Sequence, residues 1–108
     1  MGELGSKQAR FTKCLALLIL EMIKRGYEPR LGPDGAKHMK GSLHYDGLAA
    51  DINLFKNGVW LKNTDDHKQF GEFWESLDPD AFWGGPGPKE DGLRNDGNHY
   101  SFTYQGKK

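Results

Sequence analysis

The chain has 108 residues, and its 15 lysines and arginines balance its 15 aspartates and glutamates. This length suits one small domain with a single hydrophobic core, spanning residues 1–108. A formal net charge of zero argues against a nucleic-acid-binding protein that works by bulk electrostatics, since such domains are usually basic. The single cysteine, Cys14, lies in an apolar helical segment and is interpreted as a core residue rather than a nucleophile.

Residues 7–25 carry apolar side chains at helical spacing and predict a first helix, which Gly26 ends. Its apolar stretch, CLALLIL, is too short to span a bilayer, and no small-residue cleavage site follows it. These features indicate neither membrane insertion nor a signal peptide, and we expect the protein to stay in the cytoplasm where it is made. The next segment, YEPRL, predicts a short edge strand because it contains Pro29.

Residues 32–41 are loop by composition, and a strand is predicted from Leu48 onward. Its residues alternate between two faces, an aliphatic one and one that carries Asp51. The aliphatic side consists of Leu48, Ala50, Ile52 and Leu54, and the other side of Ala49, Asp51, Asn53 and Phe55. KNG at 56–58 predicts a turn, and VWLK predicts the returning strand of a hairpin.

Residues 63–77 predict a second helix, capped by Asn63 or Thr64, with His67 expected at the surface of its N-terminal turn. Residues 78–98 are rich in Gly, Pro and Asp and predict one long loop, and HYSFTY predicts a final strand. The buried stripe of the second helix is predicted to contain Phe70, Phe73, Trp74 and Leu77. The expected fold is α+β, with two main helices packed on a small antiparallel sheet.

Three polar residues, His44, Asp51 and His99, lie beside or within the predicted strands. Two imidazoles and one carboxylate suit a catalytic zinc site, in which three protein ligands leave a fourth position for water. Zinc would lower the pKa of that water and would offset the desolvation of Asp51. Asp96, three residues before His99, is a candidate general base.

Each of these residues also has a simpler interpretation. A histidine near a strand is more often a packing or surface residue, and Asp51 could be a turn or strand-end carboxylate bonded to backbone. Asp96 could be a solvated loop residue. Manganese or cobalt could occupy the same ligand set in vitro. The single residues therefore carry little weight without the pattern around them.

The pattern S-x-H-x-x-G-x-A-x-D resembles the signature of the zinc-dependent D-alanyl-D-alanine carboxypeptidase family. That family includes the VanX and VanY types and phage L-alanyl-D-glutamate endopeptidases. FWGG followed by DGNHYSF resembles the second half of its pattern, an acidic residue, two spacers and the last histidine. The resemblance covers about residues 8–104 and is closest to small bacteriophage endolysins. The first pattern consists of Ser42, His44, Gly47, Ala49 and Asp51.

This resemblance implies a Hedgehog/D,D-peptidase-like fold and one zinc ion per chain, held by His44, Asp51 and His99 on the open face of the sheet. It implies that Asp96 is the general base and acid and that Ser42 supports the site by hydrogen bonding. Many members also carry an arginine before the first pattern, but the segment is short here and has no clear counterpart. Four candidates could replace that arginine, namely Arg30, Lys37, His38 and Lys40.

The tryptophans Trp60, Trp74 and Trp83 are interpreted as core residues rather than sugar-stacking surfaces. Trp83 is the exception, a candidate for substrate contact because it opens the long loop near the expected site.

The leading hypothesis is a monomeric zinc peptidase that cuts the stem peptide of peptidoglycan at the L-Ala-D-Glu bond. As a phage lysis enzyme it would wait in the host cytoplasm and then act on the cell wall. One alternative is a D-Ala-D-Ala carboxypeptidase or dipeptidase of the same chemistry. Another is a catalytically weakened metal-binding module of the same fold. A nuclease, suggested by NDGNH, is disfavoured by the neutral charge.

Overall fold

The structure, a computed structural model, describes residues 2–32, 43, 46–85 and 97–107. Two helices and five strands follow one another along the chain, and all strand pairs are antiparallel. In chain order the elements are α1 (Glu3–Lys24), β1 (Glu28–Leu31), β2 (Ala49–Lys56), β3 (Val59–Leu61), α2 (Thr64–Leu77), β4 (Ala81–Trp83) and β5 (His99–Phe102). The predicted α+β class, with two helices and a small antiparallel sheet, is confirmed.

The sheet has the order β1-β2-β5-β4, and β3 also pairs with β2. Leu54 is opposite both Pro29 of β1 and Leu61 of β3, so β1 and β3 lie on opposite sides of β2. β5 pairs with the first half of β2, on the same side as β3. The predicted edge position of the Pro29 strand is confirmed, since β1 ends the sheet.

Both helices cover the aliphatic face of β2. Ile52 and Leu54 are fully buried there, as is Leu48 just before the strand. Phe11 of α1 contacts the rings of Trp74 and Phe102 edge to face, with ring centroids 5.6 and 5.4 Å apart. The opposite face of β2, which carries Asp51, Asn53 and Phe55, is only partly covered. We call this side of the sheet the open face.

Local signals account for most element boundaries. Gly26 adopts a φ of 93° after α1, where a residue with a Cβ would be strained. The β2–β3 hairpin turns through Asn57 and Gly58, with φ values of 52° and 79°, as the KNG signal predicts. At the start of α2, the backbone N–H of Asn63 donates to Asp66 Oδ2 over 3.3 Å, half of a capping box.

The predicted start of the first helix and the predicted single loop over 78–98 are both wrong. α1 begins at Glu3, four residues before the predicted start, and an acidic residue in the first turn suits the helix dipole. The segment predicted as one long loop contains β4, whose three residues pair with β5. The strand was not predicted because Gly84 and Gly85, which follow it, are typical of turns.

Candidate metal site

Asp51 and His99 are directly opposite each other where β2 pairs with β5. Opposite residues of an antiparallel pair project to the same face, so both side chains lie on the open face. His99 Nδ1 is 3.6 Å from Asp51 Oδ1. The His99 side chain is 8% exposed and that of Asp51 is 31% exposed, so the pair forms a shallow site that solvent reaches from the aspartate side.

The backbone around Asp51 is held from both neighbouring strands. Its carbonyl oxygen accepts the N–H of Gly32 over 2.8 Å, and the N–H of Ile52 donates to Asn98 O over 2.9 Å. A Cβ at position 32 would lie 3.3 Å from the Cβ of Asp51, tighter than ordinary contact. Glycine at 32 therefore allows β1 to approach β2 closely beside the carboxylate.

Two indole groups hold the backbone on either side of His99. Trp83 Nε1 donates to Gly97 O over 2.6 Å, and Trp74 Nε1 donates to Ser101 O over 3.1 Å. Both tryptophans are buried, and the ring of Phe82 lies edge to face with the imidazole at 6.4 Å. The position of His99 is therefore fixed by packing on both sides of the sheet.

The donor set of this pair fits a zinc ion. Zinc binds imidazole nitrogen and carboxylate oxygen at about 2.1 Å, so two ligands of a tetrahedral site lie about 3.4 Å apart. The observed 3.6 Å between Nδ1 and Oδ1 is close to that separation. Within the described ranges no group of three His, Cys, Asp or Glu residues gathers to hold a metal. His44, the third ligand implied by the resemblance, lies outside those ranges.

Most other predicted site residues also lie outside the described residues, so their roles stay predictions. This group consists of Asp96, Ser42, Lys37, His38 and Lys40.

Arg30 is described, and it is opposite Asn53 on the open face. Its guanidinium carbon lies 3.8 Å from the ring centroid of Phe55. Phe55 is farther along β2 from Asp51 than Asn53 is, so the arginine reaches away from the Asp51–His99 pair.

Trp83, the candidate for substrate contact, is 5% exposed. Cβ atoms added at Gly71 and Gly85 would lie 2.1 and 2.3 Å from its indole, so both glycines pack directly against the ring. Its backbone N–H donates to Glu75 Oε2 over 3.1 Å. These contacts support a positioning role for Trp83 near His99.

His67 was expected at the surface, and that expectation is wrong. The residue is 2% exposed, and its Nδ1 lies 2.8 Å from the hydroxyl oxygen of Tyr100. Burial lowers the pKa of His67 to about 4, and the nearby carboxylate of Asp66 opposes this to a smaller extent. Burial also raises the pKa of Tyr100. Both groups are therefore neutral at pH 7.

Helical spacing could have revealed His67, because it lies three residues before Phe70 and seven before Trp74, both fully buried. Its polarity suggested the surface instead. Ser101 is a second buried polar group, and its hydroxyl has no hydrogen-bond partner among the described residues. It lies two residues after His99 on the same face of β5.

No helix in the described part of the chain is long and apolar enough to cross a membrane.

In comparisons with known proteins, no family model, no curated protein and no solved structure matches this chain.

Proposed function

We propose that the protein is a zinc-dependent peptidase that cuts the stem peptide of peptidoglycan, with a Hedgehog/D,D-peptidase-like fold. The observation that carries this proposal is the cross-strand pair of Asp51 and His99, with 3.6 Å between carboxylate and imidazole on the open face. The S-x-H-x-x-G-x-A-x-D pattern supplies the identity of the third ligand, His44.

The zinc ion would be held by His44, Asp51 and His99. When bound, it would supply a Lewis acid that makes water a nucleophile near neutral pH and polarises the scissile carbonyl. His99 and Asp51 present their donor atoms from neighbouring strands, so strand pairing sets the distance between them. The backbone bonds around both residues reduce the reorganisation needed for binding.

Asp96 is the proposed general base and acid. Its carboxylate would accept a proton from the attacking water and deliver it to the leaving amine. Ser42 would support the site by hydrogen bonding, and a cation from Lys37, His38 or Lys40 would stabilise the developing oxyanion. Arg30 is the least suited of the four candidate cations, because its guanidinium is bonded to Glu28 at 2.6 and 2.7 Å.

We further propose that the substrate bond is L-Ala-D-Glu and that the protein acts as a monomeric phage lysis enzyme. In this role it remains in the host cytoplasm until lysis and then acts on the cell wall. The bond assignment rests on the resemblance to small endolysins.

Mass spectrometry of purified peptidoglycan after incubation with the protein tests this function. New stems with a free N-terminal D-glutamate are expected, and they should disappear with a chelator and in the Asp96→Ala variant. Asp65→Asn is a matched control, because Asp65 is an exposed carboxylate on the first turn of α2.

Other outcomes separate the alternatives. Release of terminal D-alanine would assign the D-Ala-D-Ala carboxypeptidase reaction instead. A zinc-loaded protein that cleaves none of several wall types would overturn the enzymatic proposal and leave the metal-binding module.

A further inference from the structure

A second feature of the open face lies at the other end of β2 from Asp51. Side chains from three neighbouring strands stack there, and Phe55 is in the middle. The guanidinium carbon of Arg30 lies 3.8 Å from the Phe55 centroid. The ring of Trp60 is nearly parallel to that of Phe55, at 14° and 6.1 Å between centroids. This group of Arg30, Phe55 and Trp60 is called the aromatic stack below.

The aromatic stack is exposed, although it is ordered by several contacts. Trp60 keeps 48% of its surface accessible, which makes wrong the expectation that this tryptophan is a core residue. The ammonium nitrogen of Lys62 lies 4.9 Å from the centroid of the Trp60 ring. Lys62 is an exposed, flexible side chain just after β3, so it can move aside and uncover the indole. A preformed exposed tryptophan is a common anchor for a binding partner.

The charges around the stack are mixed, with the Glu28 carboxylate beside the cations of Arg30 and Lys62, and this favours a polar ligand rich in hydroxyls over a strongly charged one. Glu28 Oε2 accepts bonds from Arg30 Nε at 2.7 Å and Nη2 at 2.6 Å, so the arginine charge is compensated. An acidic peptide would meet the Glu28 carboxylate at this position. A sugar suits it better, because its C–H groups pack on an aromatic face while its hydroxyls bond to fixed guanidinium and carboxylate groups.

The stack and the Asp51–His99 pair lie on one continuous surface. Phe55 follows Asp51 by four residues on the same face of β2, which corresponds to about 13 Å along the strand. In an extended stem peptide, a bond one amino acid away from the sugar lies within about 10 Å of that sugar. The sugar that bears the stem, or its neighbour in the glycan strand, would therefore reach the stack while the stem lies at the metal pair.

We propose that the aromatic stack binds the glycan strand of peptidoglycan, with Trp60 as its anchor. This inference rests on the proposed function, because it takes the substrate to be peptidoglycan. It adds a sugar-binding subsite beside the peptide site and assigns Trp60 as a residue that determines preference for intact wall over free stem peptide.

The test uses Trp60→Ala in the full chain, with Val59→Ser as the matched control. Val59 is 59% exposed on the same strand but projects to the opposite face, so its replacement removes exposed apolar surface without touching the stack. Two measurements are made on each protein. One is binding to glycan strands from which an amidase has removed the stems, immobilised on beads. The other is the ratio of cleavage rates on intact sacculi and on a soluble stem peptide.

For Trp60→Ala we expect glycan affinity and the sacculi-to-peptide rate ratio each to fall about tenfold, the loss typical of an interface anchor. Val59→Ser should match the wild type in both. Unchanged glycan binding by a folded Trp60→Ala variant would overturn the inference. A fall in the rate of soluble-peptide cleavage with no change in glycan binding would also overturn it. If the wild type cleaves neither substrate, the proposed function fails; glycan binding that depends on Trp60 would still support the sugar site.

Discussion

His67 of α2 and Tyr100 of β5 form a buried polar pair, with 2.8 Å between the imidazole Nδ1 and the phenol oxygen. The bond joins helix to sheet across the core, since Tyr100 is fully buried and packs edge to face on Trp74 at 5.9 Å. A phenol can donate or accept, so the bond forms with either tautomer of the neutral imidazole. Protonation of His67 would place a charge in the core that the Asp66 carboxylate offsets only in part.

This pair predicts a loss of stability in acid. The pKa of His67 is about 4 in the folded protein, below its ordinary value of 6.5. Between these values the unfolded chain binds more protons, so the contribution of His67 is complete above pH 6.5 and falls as the pH approaches 4. The full difference corresponds to about 3 kcal/mol. Urea unfolding at a series of pH values between 7 and 4 measures it.

The His67→Gln variant is the control for this pH dependence. Glutamine retains a hydrogen-bonding group near Tyr100 but does not titrate. We expect its free energy of unfolding to be lower at pH 7 and to depend less on pH down to pH 4. Parallel pH curves for the two proteins would show that carboxylates elsewhere cause the acid sensitivity.

The contact of Gly71 with Trp83 predicts a strong effect of one methyl group. A Cβ at position 71 would lie 2.1 Å from the indole Cδ2, and the ring belongs to the packed core. Overpacking of this kind costs about 3 kcal/mol, whereas alanine gains about 1 kcal/mol in helix propensity. We therefore expect Gly71→Ala to lose about 2 kcal/mol, measured by urea unfolding.

Glu72→Ala is the comparison for this substitution, since Glu72 is an exposed residue next to Gly71 in the same helix. It should unfold like the wild type. A Gly71→Ala protein as stable as the wild type would mean that the indole has room to shift.

The alternation of residues along β2 was enough to predict which face Asp51 occupies. Leu48, Ile52 and Leu54 are buried as predicted, and the carboxylate lies on the opposite face. This prediction succeeded because side chains of a strand alternate between its two faces. When only one face is covered, every second residue is apolar, and this alternation is visible in the sequence. The grouping of Asp51 with His99 rested on their residue types and on the motif resemblance, since no local signal sets the register of residues so far apart.

Three features depended on tertiary structure and were not predicted. β4 is a three-residue strand that exists because β5 and α2 lie beside it, and its composition gave little signal. His67 is buried because its hydrogen bond to Tyr100 offsets its polarity. Trp60 is exposed because it lies opposite Phe55 on the open face, which the helices do not cover. Residue type alone would place His67 at the surface and Trp60 in the core, and both assignments are wrong.

Zinc binding predicts a measurable stabilisation that depends on the Asp51–His99 pair. A ligand that binds only the folded chain, at a hundredfold excess over its dissociation constant, adds about 2.7 kcal/mol to the free energy of unfolding. We expect zinc to raise the melting temperature of the wild type and of Asp65→Asn. Asp51→Asn and His99→Ala should respond little and should contain far less than one zinc per chain. A response that is equal in all four proteins would place the metal elsewhere.

The two indole bonds that flank His99 predict different consequences for stability and for metal binding. Trp83→Phe and Trp74→Phe each remove one N–H donor from a backbone carbonyl, at Gly97 and at Ser101 respectively. A buried carbonyl left without its partner costs about 1–3 kcal/mol, so both variants should be less stable. The Trp83 bond is the shorter one. It holds Gly97, which lies two positions before His99, the first residue of β5.

Loss of the Trp83 bond should therefore also loosen the backbone that presents His99 to the metal. Loss of a contact that holds a metal ligand in place reduces metal affinity about 10–100-fold, and we expect the larger reduction in Trp83→Phe. Trp74→Phe should retain more of the affinity, because the β5 backbone after His99 is still paired with both β2 and β4. Zinc titration against a competing chelator measures both affinities. If the two variants lose the same stability and bind zinc with equal affinity, both indoles act only in folding.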